Sequence, residues 1–212
     1  MKRIIIADDH AVVRAGLQLI LDETGSMSIC DEARNGQELI DKLGGQSFDL
    51  VILDISMPGK DALDVLKEIN SRWPELPVVI FTMNPDEHYA IRMIRYGASA
   101  YINKETNPQQ IIQILKTVLS GKKYITTLQA EMLANVVAGQ EKLSLAPHEL
   151  LTDREFQVMC MLASGMRKSE IADKLSLSKH TIGNHRNNIL KKLNLSGNSE
   201  LTRYAIQNGI IK

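Results

Sequence analysis

The chain lacks any apolar run close to the roughly 20 residues that a membrane-spanning helix requires. Its longest early run, Ile4-Ile5-Ile6-Ala7, stops at Asp8-Asp9 and does not read as a signal peptide. Cysteine is nearly absent. Cys30 and Cys160 stand far apart without ligand-like spacing, which argues against a disulfide framework or a zinc site and predicts two buried, reduced thiols. No internal repeat and no low-complexity tract is present. These absences predict a soluble cytoplasmic protein with no membrane partner. Net charge is also absent, with 25 Lys and Arg against 25 Asp and Glu in 212 residues. That length allows one large domain or two small ones.

The zero balance hides an uneven distribution. Residues 1–122 hold 13 basic and 17 acidic side chains, a balance of −4. Residues 149–212 hold 10 and 6, a balance of +4. A basic C-terminal part suits a polyanionic partner such as nucleic acid, although +4 is small enough to arise by chance.

The first 120 residues alternate short apolar runs with stretches of helical periodicity. The runs are Arg3–Ala7, Met27–Glu32, Leu50–Ile55, Val78–Thr82 and Ala100–Ile102. Between them, helices are expected at Ala11–Asp22, Gly36–Leu43, Ala62–Ser71, Glu87–Tyr96 and Pro108–Ser120. Five βα units predict a parallel sheet covered by helices on both faces. Beyond Lys123 the strand pattern disappears. Leu128–Val137 fits a short helix, and Gly139–His148 reads as a linker. The remainder reads as four helices. Thr152 with Glu155 forms a capping box, and Gly165 can end the first helix. Ser178 caps the third helix, which buries Ile182, Ile189, Leu190 and Leu193. Ser199 is the expected cap of the fourth, and Gly209 its expected end. The expected domains are therefore 1–122, a partly helical linker 123–148, and 149–212.

In a parallel α/β sheet, chemistry gathers at the carboxyl ends of the strands. Here those ends carry Asp8-Asp9, Asp54, Thr82 and, just past the fifth strand, Lys104. Three carboxylates in one crevice repel one another, and oxygen-only ligands favour Mg2+ or a similar hard cation. Asp54 can then act as a nucleophile towards phosphorus. Lys104 and Thr82 are suited to neutralising the equatorial oxygens. Taken singly, each is an ordinary polar strand end or helix cap; the combination is what carries the reading.

These residues resemble the receiver domain of bacterial two-component response regulators. The matching segments are Asp8-Asp9, Leu53 to Gly59, Thr82, and Tyr101-Ile102-Asn103-Lys104. The resemblance implies sheet order 2-1-3-4-5 and phosphorylation of Asp54 by a partner histidine kinase. It also implies Mg2+ held by Asp9, Asp54 and the backbone carbonyl of Ser56, with Asp8 assisting through water. Thr82, Lys104 and Tyr101 would be the switch residues. Two positions depart from the pattern: Met83 stands where a small residue is usual, and Ala62 where glycine is usual.

Residues 151–212 resemble the DNA-binding domain of the LuxR/NarL/FixJ group. The segments are Leu151 to Glu155, Glu170-Ile171-Ala172, Leu175 to Ser178, Thr181-Ile182 with His185, and Lys191-Lys192-Leu193. The implied fold is α/β, a five-stranded parallel doubly wound receiver domain followed by an all-α four-helix helix-turn-helix domain. The implied DNA-facing positions include Gly183, Asn184 and Asn187. The two asparagines are suited to pairing with adenine. Lys179, His180, Arg186, Lys191 and Lys192 are candidates for the phosphate backbone of double-stranded DNA, and Thr181 is a further candidate DNA-binding residue. The last helix, with Tyr204, Ile206 and Gln207, would contribute to a homodimer formed on phosphorylation. Two rival readings remain. One is a receiver used only for dimerisation. The other is an aspartate-nucleophile phosphatase, which would want a second carboxylate where Ser56 stands. The expectation is a regulator and not an enzyme.

Overall fold

The computed structural model describes residues 1–60, 62–83, 87–137, 147–175, 177–208 and 210–211. The chain divides into two compact units, Met1–Leu133 and Ala134–Lys212. In the first, β1 (Lys2–Ala7), β2 (Met27–Ala33), β3 (Leu50–Leu53), β4 (Val78–Thr82) and β5 (Ala100–Asn103) form one sheet. All neighbours are parallel, and the order is β2-β1-β3-β4-β5. Helices α1 (Ala11–Asp22), α2 (Gly36–Gly45), α3 (Ala62–Arg72), α4 (Glu87–Arg95) and α5 (Pro108–Leu119) connect and cover the strands.

The central strands are buried along their whole length because both faces of the sheet are covered. Alternation assigns the side chains to two layers. Ile4, Ile6, Ile52, Val79, Phe81 and Ile102 pack with Leu17 and Leu21 of α1 and with Ile111 and Leu115 of α5. Truncating one such side chain to alanine costs about 2–5 kcal/mol, a large fraction of a domain's margin of about 5–15 kcal/mol. Asn35 and Asn107 cap α2 and α5 by accepting from Glu38 and Gln110.

The pairing of β1 with β2 shifts between Ile4 and Ile5, so Ile4 faces Ile29 while Ile5 faces Asp31. Cys30 is the extra residue at this irregularity and is exposed, contrary to the expectation of a buried thiol. Cys160 is half-buried.

Helix α6 (Thr127–Val137) begins at a reciprocal cap. The Gln129 N–H donates to Thr126 Oγ1, and the Thr126 N–H donates to Gln129 Oε1. Much of the expected linker, 138–146, lies outside the described residues. After a short 3-10 turn (Pro147–Leu150) come α7 (Asp153–Ala163), α8 (Lys168–Lys174), α9 (Lys179–Leu193) and α10 (Asn198–Gln207). The N-cap of α10 lies two residues earlier than expected, at Gly197 and not Ser199. Gly209 lies outside the described residues. Among the described residues, no helix is long and apolar enough to cross a membrane.

Candidate phosphoacceptor pocket and helix-turn-helix

Backbone pairing carries the acidic residues to one edge. Where β1 ends, the Asp8 N–H still donates to Ala33 O (3.0 Å), and the Asp54 N–H donates to Ala7 O (2.8 Å). The Lys104 N–H donates to Thr82 O (2.8 Å). The ladder therefore runs one residue past the strands and sets Asp8, Asp54 and Lys104 in a common crevice.

Asp8 and Asp54 are each only 1% exposed. Lys104 Nζ lies 2.8 Å from Asp54 Oδ2 and 2.7 Å from Asp8 Oδ2. Only the contact with Asp54 has hydrogen-bond alignment, which leaves Asp8 Oδ2 buried without a hydrogen-bond donor. Asp54 Oδ1 accepts from the Ser56 N–H at 3.1 Å. Burial pushes the Asp54 carboxyl above its ordinary range, with Asp8 adding to the rise and Lys104 opposing it. Burial works against the Lys104 ammonium, but Asp54 and Asp8 outweigh it and hold Lys104 above the usual lysine value.

Asp9 is partly exposed at the rim, and His10 Nδ1 lies 2.8 Å from Asp9 Oδ1 and 3.2 Å from Asp8 Oδ1. Asp8, Asp9, His10 and Asp54 together offer atoms within 4.8 Å of one another. A buried, under-coordinated carboxylate oxygen beside two further carboxylates fits a hard divalent cation such as Mg2+. His10 was not expected in this cluster; its place next to Asp8-Asp9 was the available signal.

Thr82 is fully buried at the end of β4. Tyr101 pairs with Ile80 in the sheet and is buried against Tyr89 of α4, edge-on at 6.4 Å between ring centroids. Met83, by contrast, is 57% exposed.

In the second unit, Thr152 and Glu155 form the expected capping box. Glu155 Oε2 also accepts from Lys192 Nζ at 2.6 Å, which ties α7 to the end of α9. Lys192 thus has a structural partner besides the candidate role at phosphate. Arg154 Nη2 donates to Leu175 O at 3.0 Å and so satisfies a carbonyl at the end of α8. Ser178 caps α9 by accepting from the Thr181 N–H, and its hydroxyl meets Thr181 Oγ1 at 2.8 Å. Thr181 is therefore half-buried in the cap.

Helix α9 buries Ile182, Ile189, Leu190 and Leu193 on one side. His180, Asn184, Asn187 and Lys191 are exposed at spacings of four, three and four, which forms the opposite stripe. Lys179 is exposed beside it, whereas Arg186 is partly buried and donates to Asn198 Oδ1 at 2.7 Å. A Cβ added at Gly183 would meet nothing within 4 Å.

Two family models match the chain. Residues 4–116 match the response regulator receiver domain, and residues 149–205 match the bacterial regulatory proteins of the luxR family. The chain belongs to the response regulators. It is similar to the oxygen regulatory protein NreC of Staphylococcus carnosus, with 36% identity and 99% of each chain covered. The response regulator UvrY of Escherichia coli K12 is 30% identical, over 99% of this chain and 96% of that one. Among solved structures, RcsB of Salmonella enterica serovar Typhimurium, bound to promoter P1flhDC with the phosphomimetic BeF3-, has 25% identity and a TM-score of 0.62. That match covers 96% of this response regulator and 97% of RcsB.

Proposed function

We propose that Asp54 is the phosphoryl acceptor of this response regulator and that its phosphorylation by a histidine kinase raises the protein's affinity for promoter DNA. The observation that carries this is the buried bridge of Lys104 between Asp54 and Asp8. It keeps an ammonium at the atom that must lose negative repulsion before a phosphoryl group can approach.

An Asp54 carboxylate oxygen attacks phosphorus of a phosphohistidine. A P–O bond forms, the P–N bond breaks, and the electron pair leaves with the imidazole. Lys104 turns from Asp54 to an equatorial phosphoryl oxygen, and the Thr82 hydroxyl donates to another. Asp8, Asp9 and Asp54, with the Ser56 carbonyl, are the groups that would hold Mg2+. When bound it supplies positive charge that offsets the carboxylates and the incoming phosphoryl group. Movement of Thr82 allows Tyr101 to change its packing against Tyr89 and so alters the α4 and β5 face. The added charge of about −2 must favour one of two pre-existing states through such differential contacts.

The output is DNA binding by α9. His180, Asn184, Asn187 and Lys191 enter the major groove, with the asparagines on base edges and Lys179, His180, Thr181, Arg186 and Lys191 positioned for the backbone. Gly183 permits close approach. Two copies, joined on phosphorylation, read two half-sites. The protein acts in the cytoplasm and turns over no external phosphomonoester, because Ser56 offers no second carboxylate. The test is phosphotransfer from a kinase in Mg2+ buffer, read by intact mass. A gain of one phosphoryl group in wild type but not in Asp54→Ala is expected. Equal labelling of both proteins overturns the assignment.

A further inference from the structure

The side chain of Arg14 is almost completely buried, yet the phosphotransfer chemistry does not use it. It sits on the first turn of α1, beside the positive end of the helix dipole, where a cation is unfavourable. The helix gains nothing from it there, since His10 caps without a side-chain bond and no acidic residue occupies the first turn. Its donors go elsewhere. Nη1 donates to the Asp8 carbonyl at 2.8 Å, and Nε is ion-paired with Glu32 Oε2 on β2.

The Asp8 carbonyl is the last acceptor of the β1 line before the chain turns to Asp9. Asp8 is hydrogen-bonded at its N–H, to Ala33 O, and at Oδ1, from the His10 N–H, while Oδ2 is only ion-paired with Lys104. Arg14 fixes the one remaining backbone group. The peptide that joins Asp8 to Asp9 cannot rotate without breaking that bond.

We infer that Arg14 is a positioning residue for the cation site: held by Glu32, it locks the Asp8–Asp9 peptide so that both carboxylates converge on Asp54. This rests on the phosphoacceptor reading. Partners that orient ligands in this way typically change metal affinity by about 10- to 100-fold when removed.

Through-space charge and positioning predict opposite signs. Deleting a cation near the pocket should, by charge alone, strengthen binding of a divalent cation. Loss of positioning should weaken it. The experiment is calorimetric titration of the full chain with Mg2+, comparing wild type, Arg14→Met, Arg14→Lys and Glu32→Gln. Arg14→Met is expected to bind Mg2+ about tenfold more weakly. Arg14→Lys, which keeps the charge but loses the planar fork, should recover little of that. Glu32→Gln, which leaves Arg14 in place but loosens its hold, should fall between and serves if Arg14→Met does not fold.

Unchanged or tighter binding in Arg14→Met, or full recovery in Arg14→Lys, overturns the positioning role. If Arg14→Met is unfolded, unchanged binding in Glu32→Gln overturns it as well. An Asp9→Asn control separates the two readings: if wild type and Asp9→Asn bind Mg2+ equally, the acidic pocket is not the cation site, and the phosphoacceptor reading fails with it.

Discussion

The two units handle charge in opposite ways. In the first, Asp8, Asp54 and Lys104 are withdrawn from water into contacts of 2.7 and 2.8 Å. In the second, the charged and amide side chains of α9 stand in solvent on the stripe from His180 to Lys191, and the buried Glu155 serves as a helix cap and strut. Buried charge is expensive and therefore sensitive: a single added phosphoryl group upsets its balance. Exposed charge costs little and stays available to a polyanion, with strength set by salt. One unit is built to be perturbed and the other to be applied.

The comparison predicts a ranking of mutational effects. Lys104→Met should be the most damaging, because it leaves two buried carboxylates without their cation. A loss of about 3–5 kcal/mol is expected in denaturant titrations without metal at neutral pH, and it should shrink as acid protonates the carboxyls. A loss below 1 kcal/mol would mean that the bridge is not formed in solution. On α9, Asn184→Ala should leave the melting temperature nearly unchanged. It should weaken binding to the preferred operator by about 1–3 kcal/mol and relax the choice of one base pair. Uniform weakening on all sequences would instead make Asn184 a backbone contact.

Gly183→Ala has the sign that best separates folding from reading. The open space at Gly183 lets the new methyl fit, so the helix should gain about 1 kcal/mol. DNA affinity should nevertheless fall if the backbone must approach the bases closely. Unchanged affinity would assign Gly183 no role in approach.

The smallest effect is a pH dependence. Asp54 has a raised folded pKa, so the folded state holds its proton to higher pH than the unfolded chain does. Stability from this group is greatest below the ordinary carboxylate value of 3.8 and declines as pH rises through the raised one. Asp54→Asn should remove that decline and be the more stable protein at neutral pH without metal. An identical slope in both proteins would contradict the buried, destabilised carboxylate.

The acidic crevice was legible because strand ends are marked in sequence: an aliphatic run stops at a carboxylate twice, at Asp8-Asp9 and at Asp54. The sheet order was legible only through the resemblance to receiver domains. The capping box of Thr152 and Glu155 was legible because both partners lie within one turn. What escaped were contacts between distant residues and local irregularities. Lys192 reads as a solvated lysine until α9 folds against Glu155, 37 residues earlier. Arg14 reads as an ordinary residue of an amphipathic helix until the Asp8 carbonyl and Glu32 close on it. Cys30 reads as a core residue, but the shift in the β1–β2 register turns it outward. The start of α10 moved because Gly197 takes the extended cap conformation while Glu200 accepts from the Ser196 N–H.

The central claim is that the state of Asp54 sets the affinity of α9 for DNA. It is tested most directly by titrating a selected operator, at one fixed salt concentration, with phosphorylated and unphosphorylated wild type and with Asp54→Ala carried through the same phosphorylation. The account predicts that phosphorylation tightens wild-type binding at least tenfold, about 1.4 kcal/mol, and that Asp54→Ala stays at the unphosphorylated affinity. Equal affinity of the two wild-type forms, or an equal gain in Asp54→Ala, would contradict it.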